Sequence, residues 1–372
     1  MFVSLVLYVL LGMCMYFVFP IAVAGAIQRW DKNSILEPGI TDILGYVLAP
    51  FLTTLILYYL FLLFPHHSDA FYVSSIVFFF LGIFLLHLTY AKSIMGRWLL
   101  VFSIHKPNPS EANDTLSITY AGRNVSVSIS KSLLFVALLL IVFSSMYVAK
   151  SPLTGHDTLE YAILGKSMGV DKVIHYQQHP YNPSTGFYYV GLHGHSYNLM
   201  RTWEFLWGNL FGKPDSDRYF RLLSAYYYLL MFLLGWKLLS QKGIRSLIIW
   251  FLLTYLPVGF FAFITNPHVD AYRVCLISIS LLLLYHAIDT SNKFIFFLFC
   301  IYSGSQAFIH SLGVFIASIC FLAFLIFHRE SLLMKIKSTL IFVLLFLLMG
   351  NIHYLMDVFW GTGWIFKEIK FY

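Results

Sequence analysis

Charge is scarce in this chain. Only 11% of its 372 residues are Asp, Glu, Lys or Arg, less than half the roughly 25% of an average soluble domain. So few charges cannot cover a water-facing surface, and they exclude a disordered chain or a coiled coil on the same ground. Cysteine is nearly absent. Cys14, Cys275, Cys300 and Cys320 all sit inside apolar runs and none forms a CxxC pair. A disulfide scaffold is thereby excluded, and packing is the ordinary role of such thiols. No P-loop, GxGxxG, GxSxG or HExxH occurs, so ATP-driven, nicotinamide-dependent and serine-hydrolase chemistry has no support.

What the chain has in excess is apolar and aromatic: 59% hydrophobic residues, with 37 Phe and 25 Tyr. About 20 apolar residues cross a bilayer as a helix. Ten stretches approach that length, at 2–25, 41–64, 70–91, 132–149, 219–239, 246–264, 271–288, 293–309, 312–327 and 338–356. The fold class expected is an all-α, polytopic transmembrane helix bundle of about ten spans. Ala22-Val-Ala24 loosely resembles a signal-peptidase site, but no basic region precedes it and the apolar run is too long, so the first span reads as a retained helix.

The net charge of +7 follows the positive-inside rule. Arg29, Lys32, Lys92, Arg97, Lys106, Arg123, Lys131, Lys237, Lys242, Arg245, Arg329, Lys335 and Lys337 fall on one side if both termini lie on the other. That places them in the cytoplasm and makes the loop 151–218 and the turn 265–270 extracytoplasmic. No basic cluster or nucleic-acid motif occurs, so nucleic acid is not an expected partner. Within the cytoplasmic segment, Thr115–Tyr120 and Val125–Ile129 alternate around Gly122-Arg-Asn124, a β-hairpin pattern. The sequons at Asn113 and Asn124 fall on that cytoplasmic side and are read as chance.

Four groups of residues carry chemistry. Gly155-His156-Asp157-Thr-Leu-Glu160-Tyr161 follows the fourth span. A helix over 157–168 puts Asp157, Glu160, Tyr161 and Leu164 on one face; Asp157 and Glu160 also suit a capping box, and the two roles stay open together. Asn266-Pro-His-Val-Asp270-Ala-Tyr-Arg273 offers a second carboxylate, or a helix cap. His175, His179, His193 and His195 stand among Tyr176, Tyr181, Tyr188, Tyr189 and Tyr197. There His-x-His either packs at the interface or contributes to a divalent metal site. Gln306, His310, Asn351, His353 and Asp357 are polar residues of the late spans, which either face a cavity or sit at helix ends. The loop 151–218, rich in His, Tyr, Asn, Gly and Trp, is expected to hold short interfacial helices around an ordered pocket.

Residues 132–372 resemble the GT-C superfamily of membrane glycosyltransferases. The match runs through the acidic opening Gly155–Tyr161, then Gly194-His195-Ser-Tyr197, Trp203–Trp207, Leu210-Phe-Gly212, Asp217–Ala225 with its Arg221-Leu-Leu-Ser-Ala core, and Asn266–Asp270. His195 is followed by Ser-Tyr where the family has Pro-Pro, and Ser303–His310 ends in His where many members have Lys. The resemblance implies a seven-span module acting on its extracytoplasmic face, with loop 151–218 as part of the site. Asp157 becomes the general base on the acceptor or a metal ligand, Asp270 the second acidic residue, and Glu160 a third. His156, Tyr161, His195, Tyr197 and His310 are binding candidates. Arg201, Arg218, Arg221 and Arg273 are cations for a departing phosphate. A divalent ion (Mg, Mn or Zn) on Asp157, Glu160 and Asp270 is the one cofactor implied.

Residues 29–131 resemble, more distantly, the RDD family of small membrane modules, through Asp42, Ser93–Leu100 around Arg97, and Arg123. Asp42 is otherwise an interfacial cap. The expected organisation is a three-helix unit over 1–131 and a glycosyltransferase module over 132–372. The implied activity is transfer of a sugar from a polyprenyl-phosphate donor to a glycolipid, polysaccharide or protein acceptor. It would take place among the lipids of a bacterial or archaeal cytoplasmic membrane. The alternatives are a transporter or flippase of a lipid-linked or small polar solute, or a catalytically inactive scaffold.

Overall fold

The computed structural model describes residues 2–32, 34–101, 115–120, 123–150, 156–174, 195–240, 242–255, 269–329 and 331–359. Among these residues it is a helix bundle with one β-hairpin. Helix α1 (Phe2–Met13) continues through a wide turn at Cys14–Val18 into α2 (Phe19–Trp30). The wide turn comes just before Pro20, which has no N–H to donate. Then come α3 (Pro38–Leu63), α4 (Asp69–Leu86) and α5 (Leu88–Val101). Ser68 caps α4 by accepting from the Phe71 amide, and Arg29 donates to its last carbonyl, Leu86, at 2.9 Å. The expected hairpin is present as β1 (Thr115–Tyr120) and β2 (Arg123–Ser128), antiparallel with Ile118 opposite Val125. Arg123 and Asn124 belong to its second strand, not to its turn.

The remaining helices are α6 (Ile129–Lys150), α7 (His156–Asp171), α8 (His195–Leu210), α9 (Arg218–Ser240), α10 (Ile244–Tyr255), α11 (Val269–Thr290), α12 (Lys293–Ile309), α13 (Leu312–Phe327), α14 (Leu332–Phe346) and α15 (Ile352–Phe359). Among the described residues seven helices are long and apolar enough to cross a membrane, not the ten expected. The other three apolar stretches are the shorter helices α10, α12 and α13, of 12, 17 and 16 residues. At about 1.5 Å per residue the last two fall just short of a hydrocarbon core of roughly 30 Å. On α13, Phe315, Ile319, Leu322 and Ile326 form an exposed apolar stripe at helical spacing, as a lipid-facing surface requires.

One core runs through most of the bundle. It joins Tyr8, Phe19 and Val47 of the first helices to Trp203, Tyr227, Leu276, Phe299 and Leu345 of the later ones. Residues on both sides of position 131 therefore share a single core. A smaller cluster, Ala137, Ile141, Val148, Ala225, Tyr228, Phe232 and Tyr255, ties α6 and α10 to α9. Helix α3 is central. At Gly45 a Cβ would lie 2.4 Å from the Ala24 backbone, so α2 and α3 approach closely only because that position is glycine.

Away from water, every carbonyl freed from a helix needs another donor. Pro50 lies inside α3 and cannot donate to the Tyr46 carbonyl four residues back. The Tyr226 hydroxyl of α9 donates there instead, at 2.8 Å. The same accounting holds where α14 breaks. Met349 has ψ +24° and Gly350 φ +92°. Tyr59 donates to the Leu348 carbonyl at 2.9 Å, and Asn351 Nδ2 to the Phe346 and Gly304 carbonyls at 2.7 and 2.8 Å.

Two outcomes follow. Tyr226→Phe should destabilise the detergent-solubilised protein by about 1–3 kcal/mol, the cost of one orphaned buried acceptor. In a Pro50→Ala background the backbone N–H returns and most of that loss should disappear, which a double-mutant cycle measures. Gly350→Ala meets both a positive φ and Phe308, whose ring lies 2.5 Å from the added Cβ. It should cost about 2–4 kcal/mol in an unfolding titration.

Candidate functional site

Helix α7 buries Thr158, Tyr161, Gly165, Met168 and Gly169, an i, i+3, i+4 stripe, and packs that stripe on α8. The two helices run parallel. Tyr161 meets Tyr197 edge-on at 5.0 Å between ring centres, Gly165 lies against Asn198 and Arg201, and Gly169 lies against Phe205. Thr202 donates to the Gly165 carbonyl at 2.7 Å. The start of α7, with His156, Asp157 and Glu160, therefore lies at the same end of the α7–α8 pair as the start of α8, with His195, beside Thr54 and Tyr58 of α3. The helix begins at His156, so Asp157 stands inside its first turn and not at the N-cap. There a carboxylate is favoured by the helix dipole. The side chains of His156, Asp157 and Glu160 lie outside the described residues, as do His175, His179 and His193.

The start of α11 joins the same end. Tyr272 lies 3.5 Å from the Ser196 hydroxyl, and Ser196 is 2.8 Å from Thr54 of α3. Burial raises the Tyr197 phenol above its ordinary range. The Ser224 hydroxyl opposes that rise, and the negative charge of Asp270 adds to it. Asp270 is thus near α8, and it holds Arg273 at 2.5 Å. The starts of α7, α8 and α11, spread over more than a hundred positions of the chain, thus lie together. Asp270 is the one member of the expected metal trio whose side chain is described. Among the described residues no three His, Cys, Asp or Glu side chains form a metal-binding group.

Three of the expected phosphate cations, Arg201, Arg221 and Arg273, are engaged within the protein. Arg221 makes two bonds to Asp217, at 2.7 and 2.8 Å. Arg201 is buried and donates to the Pro214 carbonyl at 3.4 Å. Arg218 is exposed. His310 closes α12 and accepts the Leu312 amide at 3.1 Å, a turn role at a helix end. Lys166 pairs with exposed Asp215 at 2.7 Å and holds that carboxyl below its usual range. On the other side of the bundle Asp42 is no cap. It receives Arg97 Nη2 at 2.6 Å and Nε at 3.1 Å, while Arg97 also reaches Gln28 and Ser93.

Helix α8 differs from the expected interfacial helix. Every residue from His195 to Gly208 is buried, including Asn198, Arg201, Thr202 and Glu204. Its polar groups face protein on all sides because α1, α3, α4, α7, α9 and α12 enclose it. Glu204, which is 1% exposed, anchors it. One oxygen accepts from the Tyr8 hydroxyl at 2.7 Å and the Tyr219 amide at 3.2 Å; the other accepts from the Phe220 amide at 2.8 Å. Those amides belong to the first turn of α9, so Glu204 caps that helix from a neighbouring one. Its only sequence signal is a carboxylate set between Trp203 and Trp207.

Burial raises the Glu204 carboxyl above the usual carboxylate range, while Arg201, Tyr8 and the two amides pull the other way. A carboxyl raised in the folded state contributes its stability fully below its unfolded pKa of about 4.3. It loses that contribution as pH climbs through the folded value. The unfolding midpoint should therefore fall as pH rises from about 4, and Glu204→Gln should flatten that component. Glu204→Ala orphans the Tyr219 and Phe220 amides, while Tyr8 keeps Ser216 as an acceptor, and should cost about 2 kcal/mol or more.

Compared with family models, curated proteins and solved structures, the chain matches none.

Proposed function

We propose that this protein is a membrane glycosyltransferase that takes its sugar from a polyprenyl-phosphate donor and gives it to an acceptor hydroxyl outside the cytoplasm. The observation that supports the reading is the meeting of three helix starts beside the middle of α3. Parallel α7 and α8, with the start of α11, bring the Asp157 segment, His195, Tyr197, Asp270 and Arg273 to one place. In this reading all ten apolar helices cross or enter the bilayer, the site among the starts of α7, α8 and α11 opens outward, and the arrangement is GT-C-like. The Asp42–Arg97 pair marks the opposite, cytoplasmic face of an RDD-like beginning.

The chemistry is balanced without a nucleotide. Asp157 takes the proton of the acceptor hydroxyl. The freed oxygen attacks the anomeric carbon as the bond to phosphate breaks, inverting that centre, and the polyprenyl phosphate leaves with the electron pair. A cation steadies the charge that develops on the phosphate. Arg273 is the best placed of the arginines, and Asp270 orients it.

A second reading, transport of a lipid-linked or small polar solute, draws on the break between α14 and α15, since discontinuous helices line solute sites in transporters. One experiment separates the two. Labelled sugar on a panel of polyprenyl phosphates is incubated with membrane extract and either wild type or Asp157→Asn. Transfer by wild type with a loss of at least about a hundredfold in the variant, the scale of general-base catalysis, is the expected outcome. Equal transfer in both removes Asp157 as the base. No transfer by folded protein, with solute uptake in proteoliposomes, replaces the enzyme with the transporter.

A further inference from the structure

His195 and His353 face each other where α8 begins and α14 has just broken. Their ring centres are 4.9 Å apart at an interplanar angle of 74°. Both are buried, at 8% and 4% exposure. His353 Nδ1 lies 2.8 Å from the Gly350 carbonyl, which offers only lone pairs, so Nδ1 carries the proton and donates. The lone pair of that imidazole is then on Nε2, for which the described residues provide no donor. Tyr58 and Phe308 wall the pair, with ring centres 6.1 and 6.4 Å from His195.

We propose that this pair is a binding site for one borderline divalent transition-metal ion of the zinc class. An imidazole centre lies about 1.1 Å from its ring nitrogen, and zinc sits about 2.0–2.1 Å beyond that nitrogen. Two imidazoles on one tetrahedral ion therefore have centres about 5 Å apart, which is the separation observed. The bond from Nδ1 to a backbone carbonyl is the usual second contact of a metal-binding histidine; it selects the tautomer and aims the other nitrogen. The Gly350 carbonyl is in place because the chain turns there with positive φ, so the kink and the ligand form one device. Two protein ligands leave coordination positions open. On the proposed function, these would take phosphate oxygens of the sugar donor, since the start of α8, with His195, meets the start of α11, with Asp270 and Arg273. The ion site differs from the carboxylate trio that the sequence suggests.

The test uses the full chain in detergent, stripped with a chelator and titrated with Co2+ followed by Zn2+ competition. The expected result is one Co2+ per chain with the visible absorption of a four-coordinate site, displaced by Zn2+. His353→Phe and His195→Phe should each weaken binding at least about tenfold, while His67→Gln, on the exposed turn between α3 and α4, leaves it unchanged. Thermal unfolding without metal shows whether each variant is folded. Should His353→Phe fail, His353→Gln, whose amide can still donate to the Gly350 carbonyl, carries the same comparison. Equal binding by wild type and the folded variants, or no binding by folded wild type, overturns the site. Ion binding as expected together with absence of sugar transfer from every donor keeps the site and removes the transferase.

Discussion

The bundle depends on a carboxylate with no water around it. Glu204 is enclosed by protein, and a bare charge there would cost several kcal/mol. It is tolerable because three donors from two other helices point at it. The same contacts set the position of α8 along its own axis: Glu204 is fixed to the top of α9, and Tyr8 closes it from α1. With that end held, the opposite end of α8 delivers His195, Ser196 and Tyr197 to the meeting point with α7 and α11. The placement of the candidate site is thus a consequence of an interaction two to three helical turns away from it.

Two further irregularities obey the same rule that polar backbone must find partners inside the protein. Pro50 in α3 and the break after α14 both free carbonyls, and in each case a tyrosine from another helix answers. Neither irregularity is local in its effect. The first locks α9 against α3, and the second fixes α12 and α14 together through Asn351. Polar side chains, few as they are, do the specifying in a structure whose apolar contacts are interchangeable with lipid.

How much of this was legible beforehand varies with the physics involved. The positions of the seven long apolar helices follow from run length, which lipid thickness dictates, so they read directly, whereas α10, α12 and α13 are shorter than the spans expected there. The hairpin at 115–128 reads directly too, because alternation with a period of two is local. Helix α8 did not read as buried. Its polar composition resembles a surface helix, and its burial is decided by six neighbours brought from elsewhere in the chain. Asp42 and Arg97 both stood out as residues, yet their pairing across 55 positions is a tertiary fact. Glu204 carried almost no signal, since a glutamate between tryptophans is equally at home at a membrane interface. The break at Gly350 was invisible because glycine is common in membrane helices, and only the Phe308 ring and the positive φ show why it must be glycine there.

The contact between Tyr8 and Glu204 joins residues 196 positions apart. A ribosome adds roughly 5–20 residues each second, so α1 is in the membrane for about 10–40 s before its partner emerges. During that interval Tyr8 has no Glu204 to donate to, and Asp42 waits a shorter time for Arg97. The first helices cannot reach their final packing as they are made. The interaction that fixes α8 along its axis is therefore among the later ones to close, after the first turn of α9 has been made.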